Sequence, residues 1–278
     1  LAVWDASDML EVRITVHNTA RDHRLRCCVH TGARTQQVWS EGHFDMQSRP
    51  HAMPPPPRDA WIEDAPTTFN NKRFVAACDG TRGLAVITHG LQEHQLLPAH
   101  AGALAITLLR CVGWLSLPNL RTRACNAGPS IPTPTTQMPG AITFTLGIMP
   151  CHDPAMLPAV QRCAARANAA PFTVPIADGS VLRSPRSFIQ AEGAAVSAIK
   201  RAEDGNGLIV RLWNGTANDA SARLTIDAGE IVAARRVRLD ETPEPHTPPL
   251  PFTPHAISLD IPAKTIVTLR VNLSGMRV

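Results

Sequence analysis

The stretch RFVAACDGTRGLAVIT, residues 73–88, sets the reading of this chain. Two short apolar runs, residues 73–78 and 83–88, flank Asp79-Gly80 and a further glycine, Gly83. Glycine permits the positive φ that a tight reversal needs, so the stretch predicts an antiparallel hairpin. The same signature spreads outward along the chain. Residues 10–16 alternate Leu, Val, Ile and Val against Glu, Arg and Thr, the period of a half-buried strand. Further strands are expected at residues 103–110, 141–149, 194–200, 208–213, 222–226, 231–239 and 265–271.

One segment carries helical spacing. Asp153 can cap it and Pro154 suits the first helical position; Met156, Leu157, Val160 and Cys163 or Ala164 then fall on one face. Pro158 lies close to the first turn, so a ragged start is expected. Many strands with one short helix, and no alternation of strand with helix, predict a mainly β fold of antiparallel sandwiches. Proline-rich stretches at residues 53–58 and 130–139 read as surface loops. The weakly patterned connection at residues 169–186 separates a larger domain, residues 1–170, from a smaller one, residues 187–278.

Composition narrows the function. Of 278 residues, 44% are hydrophobic and 18% charged, which suits a packed core and argues against disorder. The net charge of +4 is spread thinly and no basic run reaches five residues, so no nucleic-acid partner is expected. No apolar run is long enough for a membrane helix, and no membrane partner is expected. Seven cysteines in no CxxC arrangement read as reduced thiols, which fits a cytoplasmic setting. Tyrosine is absent. The chain starts at Leu1, its opening residues have no signal-peptide pattern, and they read as a strand entered partway. The chain is therefore expected to come from a longer polypeptide.

Catalytic motifs are missing from the sequence: it has no GxSxG, no HExxH and no GxxxxGK loop. The scattered histidines, such as His89 and His94, read as solvent-facing or satisfied side chains rather than metal ligands. Acidic pairs at Glu63-Asp64, Glu203-Asp204 and Asp240-Glu241 read as turn chemistry, because neighbours on a strand point to opposite faces. The stretch ALAITLLRCVGWLS, residues 103–116, is different. It is a buried-looking strand closed by Arg110, and a buried arginine needs an anionic or carbonyl partner. Either Arg110 pairs with an internal carboxylate, or it reaches a substrate or a neighbouring domain.

These residues also carry a family resemblance. Phe74–Gly80 and Arg82–Val86 resemble the F-V-A-V-S-D-G…G-L-A-V hairpin of glycoside hydrolase family 38. Residues 104–116 are similar to that family's L-A-L-T-L-L-R-S-V-G-W-L-S strand, and GLIVRLWN at residues 207–214 to its G-L-I-V-R-L-Y-N. His94 and Trp213 stand where the family pattern has tyrosine, and Cys78 where it has serine. The resemblance implies a large galactose-mutarotase-like β-supersandwich followed by a small C-terminal β-sandwich. It further implies a retaining α-mannosidase or mannosylglycerate-hydrolase type of enzyme acting on a mannose-containing glycan. The catalytic barrel, a helical bundle, the zinc and the catalytic carboxylates would then lie upstream of Leu1 as this chain's partners. No catalytic or metal-binding residue is expected within the chain, which by itself would be inactive. Arg110, with Trp114 near it, is implied as a substrate-cleft residue. The alternative is a non-catalytic carbohydrate-binding or structural β-sandwich module, which would need an exposed aromatic platform.

Overall fold

A computed structural model of the chain describes residues 1–3, 8–52, 63, 65–100, 102–173, 175, 187–245 and 247–275. The expected loop at residues 53–58 lies outside the described residues, as does most of the connection at residues 169–186. The chain forms two compact units. The first comprises Leu1–His43 and Gln47–Ala170, the second Phe44–Met46 and Pro171–Val278.

The strands of the first unit, in chain order, are β1 (Ala2–Val3), β2 (Leu10–Asn18), β3 (Arg24–His30), β4 (Gln37–Glu41), β5 (Met46–Pro50), β6 (Phe69–Asn70), β7 (Phe74–Cys78), β8 (Gly83–Thr88), β9 (Glu93–Leu97), β10 (Ala103–Arg110) and β11 (Gly140–Pro150). They make a seven-stranded sheet ordered β1-β2-β11-β8-β7-β4-β5 and a four-stranded sheet ordered β3-β10-β9-β6. The predicted hairpin is β7–β8, paired from Phe74↔Ile87 to Cys78↔Gly83. Its turn is held by Asp79, whose carboxylate accepts from the backbone N–H of Arg34 and Arg82 at 2.8 Å and of Thr81 at 3.0 Å, and from the Thr81 hydroxyl at 2.8 Å. These donors, led by the Arg34 amide, hold the Asp79 carboxyl well below the usual carboxylate range.

The strand period sorts the hairpin's side chains. Val75, Ala77 and Val86 join Leu146 of β11 in one core with Val29, Leu96, Leu104 and Ile106 of the smaller sheet. Phe74, Ala76 and Ile87 point the other way and are also buried. On that side the helix α1 (Leu157–Ala167) packs against β7 and β8, with Leu157, Val160 and Ala164 buried at helical spacing. The helix begins as the sequence predicts. Asp153 Oδ1 accepts from the Ala155 N–H at 2.7 Å, a single 3₁₀ turn spans Pro154–Met156, and Pro158 falls in the first turn of α1. Beside the core, Arg73 grips the fully buried Glu41 carboxylate with two guanidinium nitrogens, its Nε donating to Oε2 at 2.8 Å.

The second unit holds β12 (Ile189–Glu192), β13 (Ala195–Arg201), β14 (Leu208–Asn214), β15 (Ala220–Ile226), β16 (Glu230–Val237), β17 (Phe252–Thr253), β18 (Ala256–Ile261) and β19 (Thr265–Ser274). Two four-stranded sheets result, ordered β12-β15-β18-β17 and β13-β14-β19-β16. Val210 and Leu212 of β14, Leu224 and Ile226 of β15, Ile257 of β18 and Leu269 of β19 fill the space between them. The strands of all four sheets pair antiparallel, so the expected mainly β sandwich architecture is the one observed. The acidic pairs of this unit do sit in turns, but they also bind across strands. Asp204 pairs with Arg270 at 2.6 Å, and Glu241 with Lys200 at 2.8 Å.

Candidate functional site

The C-terminal end of β10 opens into a cleft of about 940 Å³ in the first unit, and both expected cleft residues, Arg110 and Trp114, line it. Arg110 is the last residue of β10, and the long loop to β11 begins at Cys111. The expectation that Arg110 is a buried charge is not met. Its side chain is 71% exposed, with Glu93 Oε2 at 4.0 Å. The reason lies in the strand pairing. The β3–β10 register shifts between Thr107 and Leu109, and Arg110 emerges past the last residue of the apolar run, opposite Arg24. Glu93 is engaged more closely by its neighbours. Arg24 lies 3.2 Å away, and the Thr107 hydroxyl donates to it at 2.6 Å. Burial lowers the Arg24 pKa from its ordinary value, with Glu93 opposing.

The loop that carries Trp114 is pinned at both ends. Its first residue donates from Cys111 N–H to the His23 carbonyl at 2.8 Å. Near its far end, the Gln137 amide makes a two-point contact with Asp22. Gln137 Nε2 donates to Asp22 Oδ1 at 2.8 Å, and the Asp22 N–H donates to Gln137 Oε1 at 2.9 Å. The buried Asn18 Nδ2 then donates to the carbonyls of Gln137 and Met138 at 2.8 and 2.9 Å. Gly113 fits into this clamp because it has no side chain: a Cβ there would lie 2.9 Å from Asp22 Oδ1. Trp114, one residue on, bridges to Pro132, and Thr133 N–H donates to the Gly113 carbonyl at 2.8 Å. Trp114 is 44% exposed on this pinned backbone.

The cleft offers a guanidinium, an indole and apolar side chains, a set that binds and orients a polar ring. Its two carboxylates are committed, Asp22 to Gln137 and Glu63 to Arg123. Among the described residues no group of three or more His, Cys, Asp or Glu side chains is placed to hold a metal ion. Asp22, Gln137 and Asn18 are the positioning residues that sequence reasoning misses. Asp22 and Gln137 lie 115 positions apart, and nothing in the sequence indicates that the two meet.

His94, expected to be solvent-facing or satisfied, is buried in β9 beside Phe69, with ring centroids 6.3 Å apart. Its Nδ1 lies 3.1 Å from Asn71 Oδ1. The Asn71 Nδ2 already donates to Thr88 Oγ1 and the Leu91 carbonyl, which assigns Oδ1 as acceptor and the Nδ1–H tautomer to His94. Nε2 has no hydrogen-bond partner among the described residues, so the ring is only half satisfied. Burial, and after it the Arg49 charge, lower the His94 pKa to about 4, with Glu93 opposing.

Comparison with known proteins finds relatives of this chain. Residues 193–269 match the glycosyl hydrolases family 38 C-terminal beta sandwich domain. A putative mannosylglycerate hydrolase of Halalkalibacterium halodurans is 27% identical over 209 residues, which is 74% of this chain and 21% of that protein. Two solved structures from Enterococcus faecalis are similar over 95% of this chain at 26% identity. One is an alpha-mannosidase of strain V583, with a TM-score of 0.71 and 27% of its chain covered. The other is a protein in the Glycosyl Hydrolase Family 38, with a TM-score of 0.72 and 28% covered. The chain thus spans between about a fifth and just over a quarter of the length of these relatives. Residues 193–269 thus match the family 38 C-terminal beta sandwich domain, and nearly all of the chain's fold is shared with the two Enterococcus faecalis structures.

Proposed function

We propose that this chain is the β-sandwich support of a retaining α-mannosidase-type glycoside hydrolase, and that its Arg110 and Trp114 line the outer sugar subsites of the assembled enzyme. The observation that carries the reading is the placement of a solvent-facing guanidinium and an exposed indole in one cleft, on a backbone fixed by the Asp22–Gln137 clamp. An indole face stacks on the apolar face of a pyranose, while a guanidinium donates to ring hydroxyls or to an acidic aglycone. In such an enzyme one carboxylate attacks the anomeric carbon and a second carboxyl group protonates the leaving oxygen, then activates water. Those groups, and the zinc of this enzyme type, would belong to polypeptide outside this chain. The seven unpaired thiols support a cytoplasmic setting.

The test is Arg110→Ala in the intact enzyme, assayed on an α-mannoside and on mannosylglycerate. The expected result is a fall in kcat/KM of tenfold or more, carried mainly by KM, with unchanged thermal unfolding. A change of less than twofold in a folded variant refutes the subsite reading.

A further inference from the structure

Away from the cleft, two of the chain's cysteines meet over the hairpin. Cys78 ends β7 opposite Gly83, the first residue of β8. On the other side of Gly83, Cys151 follows the last residue of β11, and its N–H donates to the Gly83 carbonyl at 3.2 Å. Residues that flank one position from both neighbouring strands project to the same side of a sheet. The strand between them offers no side chain there: a Cβ on Gly83 would lie 2.6 Å from Cys78 Cβ and 2.3 Å from the Cys151 carbonyl oxygen. In this gap the two thiols are hydrogen-bonded to each other. Both are buried, and neither is in a disulfide. The pair nonetheless lies just beneath the surface, because Asp79, Gly80, Thr81 and Arg82, which follow Cys78 in the turn, are all exposed. Other thiols are placed differently. Cys27 and Cys28 are neighbours on β3 and point to opposite faces, and the buried Cys111 has the Asn18 amide nitrogen 3.6 Å away.

We propose that Cys78 and Cys151 form a peroxide-responsive dithiol site, which closes to a disulfide and is reopened by thiol reductants. The Cys78 sulfur attacks one oxygen of hydrogen peroxide as the O–O bond breaks, giving a sulfenic acid and releasing water. The Cys151 sulfur then attacks the Cys78 sulfur. The S–S bond forms, the S–O bond breaks and a second water leaves. The pair gives up two electrons and two protons, and one peroxide becomes two waters. The hydrogen bond sets the order of attack. Cys151 donates it to Cys78, which lowers the Cys78 pKa and, together with burial, raises that of Cys151; burial and the Asp153 and Asp79 carboxylates oppose the Cys78 thiolate. The bond joins the two ends of a segment that contains β8, β9, β10 and the loop bearing Arg110 and Trp114. While it holds, β11 cannot part from the hairpin at that end, and the Asp153 cap at the start of the helical segment is tied to the same point. Thiols that rest reduced and pair only transiently are the pattern of redox sensing in a reducing compartment.

The test treats the reduced full-length protein with hydrogen peroxide, quenches with N-ethylmaleimide and digests without reductant. Mass spectrometry is expected to find the Cys78 and Cys151 peptides joined, and to lose the joined species after dithiothreitol. Cys78 should be consumed at least tenfold faster than Cys111. Absence of the joined peptide overturns the proposal, as does a Cys78 rate no faster than that of Cys111. So does a product joined mainly through the exposed Cys28 or Cys125. Two variants separate the roles. Cys151→Ser should stop the reaction at a Cys78 sulfenic acid that dimedone traps, whereas Cys78→Ser should leave Cys151 a thiol; equal oxidation of Cys151 in that variant overturns the order of attack. Hydrogen–deuterium exchange of the unmodified sequence adds a readout that needs no variant. Peptides covering β8 and β11 should exchange at least tenfold more slowly after oxidation and recover with dithiothreitol, and exchange unchanged by oxidation overturns the lock.

Discussion

Lowering the pH from 7 to 4.5 should destabilise the first unit through His94 alone, by an amount the structure allows to be worked out. The ring is buried, carries its proton on Nδ1 toward Asn71, and has a pKa of about 4 against 6.5 for a free histidine. Above pH 6.5 both the folded and the unfolded chain hold it neutral, so it imposes no penalty. As pH falls below 6.5 the unfolded chain takes up a proton that the folded chain refuses, and stability falls with it. The loss levels off only below about pH 4, where the folded ring charges as well. At 1.36 kcal/mol per pH unit the full loss is about 3 kcal/mol, with about 2 kcal/mol already gone at pH 5. That is a large share of the margin of an ordinary domain. The perturbation is His94→Phe, which keeps the ring's volume and leaves the Glu93–Arg24–Thr107 cluster in place. The assay is urea unfolding between pH 4.5 and 7.5, read by hydrogen–deuterium exchange of peptides covering β9 and β10, so that the first unit is followed by itself. The variant's curve should be flatter than the wild type's across this window, whatever constant offset the lost Asn71 hydrogen bond adds. Parallel curves would refute the reasoning, because every other titrating group is common to the two proteins.

Replacing Arg73 with leucine strands the Glu41 carboxylate in the interior and should cost about 3–5 kcal/mol at neutral pH. Denaturation of the double variant Arg73→Leu with Glu41→Leu should recover most of that loss. Gly83→Ala should be severely destabilising, since the new Cβ would meet the Cys151 and Ala77 carbonyl oxygens at 2.3 and 2.5 Å, and backbone atoms cannot turn aside. Its melting temperature should fall further than that of Gly80→Ala, where nothing lies within 4 Å of the new Cβ. Asp79→Ala removes the acceptor for three backbone N–H groups, so exchange at Arg34, Thr81 and Arg82 should accelerate while β10 stays protected. Because the Asp79 carboxyl titrates below its usual range, its contribution is present above the unfolded pKa and disappears on acidification.

Local pattern was enough for much of the fold. The β7–β8 hairpin carries its turn glycines and both apolar runs within sixteen consecutive residues, and the cap, prolines and apolar face of α1 lie within fifteen. Other strands gave weaker signals. β9 reads EHQLL, with His94 beside Leu96 on its buried side, and β3, RLRCCVH, alternates but is an edge strand rich in polar residues on its outward face. β18 does alternate Ile257, Leu259 and Ile261, yet Pro251, Pro254 and Pro262 around it give the stretch the look of a loop.

The sequence by itself determined the sandwich class, the hairpin, the helix and the identity of the strand that ends in Arg110, since each depends on residues that are neighbours in the chain. Tertiary structure alone decided that Arg110 faces solvent, that His94 is buried on the same strand face as Leu96, and that Asp22 and Gln137 clamp the loop carrying Trp114. Burial and partnership of this kind are set by strand order and register. Those bring together side chains more than a hundred positions apart, a distance over which one chain's pattern of apolar and polar residues carries no information about contact.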